Sequence, residues 1–434
     1  MLPGIEMEYY DGQAHDKFSP TATGNITVNG NGHGRIYYTY EESAGYSVRC
    51  ASLYDKGYND IWMRTLSGVV YFTVLDVHDC SALKNLECWR NRLTRLDVSG
   101  CIALTTLECI YNNQLTSLDV SSCTALMTLM CNDNQLTELD VSKNTVLTTL
   151  GCFNNQLTEL DVSKNTALTK LNCSGNQLTD LDVSQNTALT SLVCFDNQLT
   201  TLDVSQNTAL TTLYCYNNQL SALDVSKNTA LTDLRCYDNQ LTALNVGSNT
   251  GLTELWCENN HLSLSTLYGI YTQMEDLESF FANPQTDTLI VSSCRPWDLS
   301  SERLFGETET TYTLVDEEGN EIPAGAYTEN DFVFQFNNPA TYTLTLQNQD
   351  LLNNYMGYPN GIITFTWHIF VEESLTVSVA ANNGAWGWAT QTGNGSYAKD
   401  SSATVIATPK DGYRFVNWTK EGVAMILLAG YTIY

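Results

Sequence analysis

The sequence predicts a mainly β chain: a solenoid with two parallel sheets, flanked by antiparallel β-sandwich modules. A 21-residue unit recurs almost unchanged through the middle of the chain. Within each unit the apolar residues alternate at strand spacing. Outside the repeats, short alternating stretches are separated by turn signals.

One unit carries Leu147, Leu150, Cys152, Asn155, Leu157, Leu160, Asp161, Val162 and Asn165, and Leu168 opens the next. The cysteine returns as Cys88, Cys109, Cys131, Cys152, Cys173, Cys194, Cys215, Cys236 and Cys257. Each interval is 21 residues except the 22 between Cys109 and Cys131, which places an insertion around Ile110–Asn112. Asp76, Asp97, Asp119, Asp140, Asp161, Asp182, Asp203 and Asp224 recur in step, with Asn245 in the last copy. That makes about nine turns.

Each unit divides into two similar halves. Leu150 and Cys152 point inward from one, Leu160 and Val162 from the other. Neither half has the i, i+3, i+4 spacing of a helix, so each coil is expected to give two short parallel strands. Asparagines close the corners by bonding backbone groups there. They form two ladders, Asn91 to Asn260 and Asn144 to Asn249, and Cys80, Cys101 and Cys123 hold the second ladder in the earliest turns. This makes twelve of the fourteen cysteines interior and leaves Cys50 and Cys294 without a role. Side chains on in-register parallel strands point the same way, so bridging them strains a disulfide, and buried free thiols are expected.

The unit LxxLxCxxNxLxxLDVxxN resembles the irregular 21-residue (IRREKO-type) leucine-rich repeat of secreted and surface-anchored bacterial proteins. The resemblance covers residues 72–263. It implies a β-rich solenoid and a binding role, and names no ligand.

Residues 1–71 are Tyr-rich, with strand-like stretches at Gly34–Tyr40 and Val69–Val74. Tyr10–His15 and Leu53–Tyr58 resemble parts of the MBG-type immunoglobulin-like modules of bacterial surface proteins, so residues 1–71 are expected to be such a module with an N-terminal cap. Residues 264–287 are expected to hold the C-terminal cap, with a short helix at Met274–Phe281. Alternation at Thr310–Val315, Phe332–Phe336, Tyr342–Leu346 and Ile363–Trp367 predicts an antiparallel immunoglobulin-like sandwich over 288–373. Residues 374–434 resemble the B-repeat module of listerial internalins, through Leu375–Val379, Ala407, Pro409, Gly412, Tyr413, Phe415 and Trp418.

Asp and Glu outnumber Lys and Arg by 48 to 20, for a formal charge of −28. That excess argues against nucleic acid and anionic membrane surfaces as partners. No apolar run reaches the length of a membrane span. Met1–Glu6 lack a signal peptide's basic and apolar regions, which leaves a cytosolic protein or a mature or truncated piece of a longer secreted chain, and the abundance of Thr, Ser, Asn, Gly and Tyr with few Lys and Arg favours the second. The histidines His15, His33, His78, His261 and His368 form no catalytic or metal-ligand spacing, so no enzyme is expected.

Two outward columns are candidate sites. Asp119, Asp140, Asp161, Asp182, Asp203 and Asp224 would line up about 4.8 Å apart and repel one another. Hydrogen bonds from Thr, Ser or turn amides of the same coil would compensate, with bridging Ca2+ as the alternative. The residues flanking the cysteines are the least constrained in the unit. Trp89, Phe153, Phe195, Tyr214, Tyr216, Arg235, Tyr237 and Trp256 are the candidate ligand-binding face, with cross-strand stabilisation as the competing explanation. The expected partner is a host or microbial surface protein, or else a glycan, and the expected location is extracellular or on a bacterial surface. A purely structural stalk is the remaining reading.

Overall fold

The computed structural model describes residues 72–273, most of 277–372, and short strands on either side of these. Cys50, Cys294, residues 11–14 of the Tyr10–His15 match, the Leu53–Tyr58 match and much of the expected B-repeat string lie outside the described residues. The chain forms two compact units, one centred on the repeats and one on residues 284–352 and 362–434.

In the first unit each repeat contributes a three-residue strand, such as Thr149–Gly151, Lys170–Asn172 and Ser191–Val193, paired in parallel and in register with the next. Alternation fixes the geometry: the central Leu150, Leu171 and Leu192 are buried, and the following Cys152, Cys173 and Cys194 are fully enclosed. The cysteine amides continue the ladder, with Cys152 N–H donating to Asn172 O at 2.9 Å and Cys173 N–H to Val193 O at 2.9 Å. All twelve described cysteines are free and buried.

The second parallel sheet is short. Tyr46–Arg49, Phe72–Asp76 and Arg95–Asp97 pair in parallel, and the later Leu-Asp-Val halves carry no strand. Leu160 and Val162 still point inward and are buried. Asparagine side chains bridge the coils on this side instead: Asn165 Nδ2 donates to Val141 O and Asn144 O, both at 2.9 Å. At the other corner Asn155 Nδ2 donates to Cys131 O and Cys152 O, while its Oδ1 accepts from Leu136 N–H at 3.0 Å. Asn112 keeps the same bonds to Cys88 O and Cys109 O. The extra residue of the 22-residue interval therefore follows Asn112 and does not lie within Ile110–Asn112.

Two expectations at the ends of the solenoid are corrected. Gly34–Tyr38 and Asp60–Thr65 run parallel to each other, and Asp60–Thr65 runs parallel to Asn85–Glu87. These strands within 1–71 thus extend the solenoid sheet, whereas an immunoglobulin-like module is antiparallel. Among the described residues there, Met7–Tyr10 pairs antiparallel with His15–Phe18. The short helix lies at Leu264–Gln273, earlier than the expected Met274–Phe281, because Leu264, Leu267 and Ile270 form its buried face. Ser279–Phe281 is a strand, in register with Glu254–Trp256, that buries Phe280 beside Leu255.

In the second unit, Thr311–Asp316 pairs antiparallel with Ala340–Tyr355, and Trp297–Asp298, Val333–Phe336 and Tyr327–Asn330 form a smaller antiparallel sheet. Gln285–Ser292 pairs in parallel with Tyr358–Glu372. Aromatic side chains fill the space between the sheets, with Trp297 edge-on to Trp367 at 5.1 Å and Tyr312 edge-on to Phe334 at 5.1 Å. Further on, Gly387–Gln391 pairs antiparallel with Ala403–Pro409, and Trp418–Lys420 with Val423–Met425.

Candidate recognition face

The outward residues of the cysteine-bearing sheet fall into columns because the coils stack in register. The residue after each cysteine forms one column. Here Phe195 stacks on Tyr216 and Tyr216 on Tyr237, each at 4.2 Å between centroids and within 10° of parallel. Strand spacing of about 4.8 Å brings the rings to stacking distance without distortion. Tyr237 then meets Trp256 at 6.2 Å, and Trp256 meets Phe281 at 4.7 Å. Phe281, in register with Trp256, thus extends the neighbouring column of residues that precede the cysteines, a contribution hidden in sequence because it falls after the last cysteine of the ladder.

The residue before each cysteine forms the second column. The Arg235 guanidinium is clamped between the Tyr214 and Trp256 rings, 4.6 Å from each centroid, and its Nε donates to Asp233 Oδ1 at 3.2 Å. The Tyr214 hydroxyl donates to Asp233, and Trp256 Nε1 donates to Glu254 Oε2 at 3.2 Å. Burial and the Asp233 carboxylate push the Tyr214 phenol up to about 12. Six of the predicted face residues therefore form one cluster: Phe195, Tyr214, Tyr216, Arg235, Tyr237 and Trp256. Phe153 stands two rungs before Phe195, with Ser174 between them. Trp89 lies three further rungs away, beside Arg90, whose guanidinium is 5.3 Å from its ring centroid.

Glu258, which sequence reasoning passed over, occupies the rung after Tyr237. Its Oε2 is buried and has no hydrogen-bond partner. Burial, aided by Asp238, pushes its carboxyl up to about 7. An acidic residue directly after three consecutive rings at this position was the available signal.

The aspartate column is exposed, and each carboxylate turns back on its own coil. Asp161 Oδ1 accepts from Ser163 N–H at 2.8 Å, and Asp119, Asp140, Asp182, Asp203 and Asp224 repeat the contact with the serine two residues on. These bonds hold the carboxylates below their ordinary range. Among the described residues, no three His, Cys, Asp or Glu side chains gather as a metal site.

Residues 145–186 match the model of leucine-rich repeats in two copies, and residues 377–430 match the divergent InlB B-repeat domain. No curated protein matches the chain. Among solved structures, the functional domain of InlJ from Listeria monocytogenes, which includes a cysteine ladder, is 29% identical. That match covers 74% of this chain and 80% of that one, with a TM-score of 0.44. An internalin, InlF, from the same organism is 18% identical over 58% of this chain and 81% of its own, with a TM-score of 0.47. A leucine-rich-repeat protein of Leptospira interrogans is 20% identical over 54% of this chain and 72% of its own, with a TM-score of 0.39. With the two family matches and the coil geometry together, the chain carries a leucine-rich-repeat solenoid and, over residues 377–430, a divergent B-repeat segment.

Proposed function

We propose that this chain is a secreted or surface-displayed bacterial protein, adhesin-like, that recognises another protein through its cysteine-bearing sheet. One observation carries the reading: the cluster from Phe195 to Trp256 gathers five aromatic rings and a clamped arginine on the outward side of a rigid sheet. Aromatic residues and arginine dominate the energetics of protein interfaces, and a preorganised surface loses little entropy on binding.

A glycan is the second reading, since sugars stack on ring faces. Both faces of Tyr216 are already covered by Phe195 and Tyr237, so the middle of the column offers edges, which favours protein. No reaction is assigned. Burial pushes the Cys109, Cys173 and Cys215 thiols up to about 12, which removes the thiolate that nucleophilic chemistry needs.

The test is capture of surface proteins from host and microbial cells by the wild type and by a Tyr214→Ser, Tyr216→Ser, Tyr237→Ser variant, beside a glycan array. Capture lost in a variant that still melts cooperatively supports the reading. Undiminished capture overturns it, and saturable array binding without protein capture transfers the face to glycans.

A further inference from the structure

Resting on that reading, we propose that the protein partner presents a basic side chain, lysine or arginine, which docks beside Glu258 at the end of the ring stack. Glu258 follows Cys257 as Tyr237 follows Cys236 and Tyr216 follows Cys215. Where the column would add another ring, it ends in a carboxylate whose Oε2 is shut off from water and unpartnered.

The Arg235 charge offsets it only in part. Arg235 is held between Tyr214 and Trp256 and bonded to Asp233. Asp238, whose like charge repels that of Glu258, accepts from Asn259 Nδ2 at 2.6 Å. A carboxylate oxygen buried without a partner is costly, and a cation supplied from outside offsets that cost. The surrounding charge agrees. Asp196, Asp233, Asp238 and Glu254 share the face, and between Cys194 and Leu262 the sequence holds two Lys or Arg residues, Arg235 and Lys227. Lys227 belongs to the turn after Asp224, on the other half of the coil. In a chain of net charge −28, an approaching basic surface is steered in and an acidic one repelled. The ring edges of Tyr216 and Tyr237 offer an apolar track for the methylene stem of a lysine or arginine.

The test is fluorescence anisotropy of fluorescein-labelled Gly-Lys-Gly-Lys-Gly amide with the full chain at about 0.15 M salt, where diffuse attraction is screened. The same peptide with glutamine for lysine is the blank. Saturable binding of the lysine peptide is expected, weakened about ten-fold or more by Glu258→Gln. Asp180→Asn, which removes the same charge from an exposed position on the other half-coil, is expected to change it less than about two-fold. Glutamine matches glutamate in shape and lifts a buried charge, so the variant folds, and a cooperative melt checks this. Equal weakening by both variants, no effect of Glu258→Gln, or no saturable binding by the wild type overturns the proposal. Surface-protein capture by the triple tyrosine variant decides the wider reading separately, so either can fail alone.

Discussion

The Cys101 thiol donates to the carbonyl of Val77 at 3.1 Å, and three coils later Asn165 Nδ2 makes the same contact with Val141 at 2.9 Å. The two residue types interchange at this corner because each has a donor that reaches the carbonyl of the coil before. Asparagine adds a second donation, to Asn144 O, yet leaves its Oδ1 buried and unpartnered. Asn165→Cys therefore trades one bond for one relieved oxygen and is expected to change stability by about 1 kcal/mol or less. Asn165→Leu loses both donations and is expected to cost about 2–4 kcal/mol. Urea unfolding of the two variants checks the order, and a leucine variant as stable as the cysteine one contradicts it.

The clamp on Arg235 depends on a flat cation. Lysine keeps the charge and cannot lie between the Tyr214 and Trp256 rings, so Arg235→Lys is expected to destabilise by about 0.5–1 kcal/mol. A double-mutant cycle with Trp256→Ala should show the loss shrinking once the ring is gone. Additive effects would mean that the stacking contributes nothing.

The aspartate column stabilises turns, and the contribution follows pH. The backbone and side chain of Ser163 hold the Asp161 carboxyl below its ordinary value. The stabilisation is therefore present above the unfolded value, near 3.9, and is lost as pH falls through the folded one. Asp161→Ala should lower Tm at pH 7, with the gap to wild type closing at about pH 2. Asp161→Asn should lose less, because Asn245 already accepts from Gly247 N–H at 3.0 Å on the equivalent rung.

Glu258 has the opposite sign. Its carboxyl is raised from 4.5 to about 7 in the folded chain, so folding favours the proton and stability declines as pH rises between these values. Glu258→Gln, which resembles the protonated acid, is expected to raise Tm at pH 8 and leave it nearly unchanged at pH 4. A variant that melts lower than wild type at pH 8 would contradict the assignment.

The repeat spacing made the coil legible: which leucines and cysteines point inward, which asparagines turn the corners, and which residues share a column. It did not reveal where backbone ladders form. Leu160 and Val162 alternate as a strand would, and both are buried, but the Ser163 amide is taken by Asp161 and the Val141 carbonyl by Asn165. Alternation reports the direction of side chains and is silent on where the backbone bonds go. The Tyr-rich strands before residue 72 misled for a related reason, since a period of two looks the same in parallel and antiparallel sheets. Phe281 and Glu258 were missed because the first lies past the last repeat and the second breaks the aromatic pattern that drew attention to its neighbours.

The constant 21-residue step turns the face into a text read one letter per coil, so the spacing of its letters can be edited without touching them. Phe153 and Phe195 are separated only by the coil that contributes Ser174. Excising residues 168–188 would leave every leucine, cysteine and asparagine in phase and set Phe153 directly against Phe195, lengthening the continuous stack from three rings to four. Insertion of one such coil between Cys215 and Cys236 would part Tyr216 from Tyr237. Coil number is thus a dial on the size of the aromatic surface, one that gene-level gain or loss of a single unit would turn while the fold stays as it is.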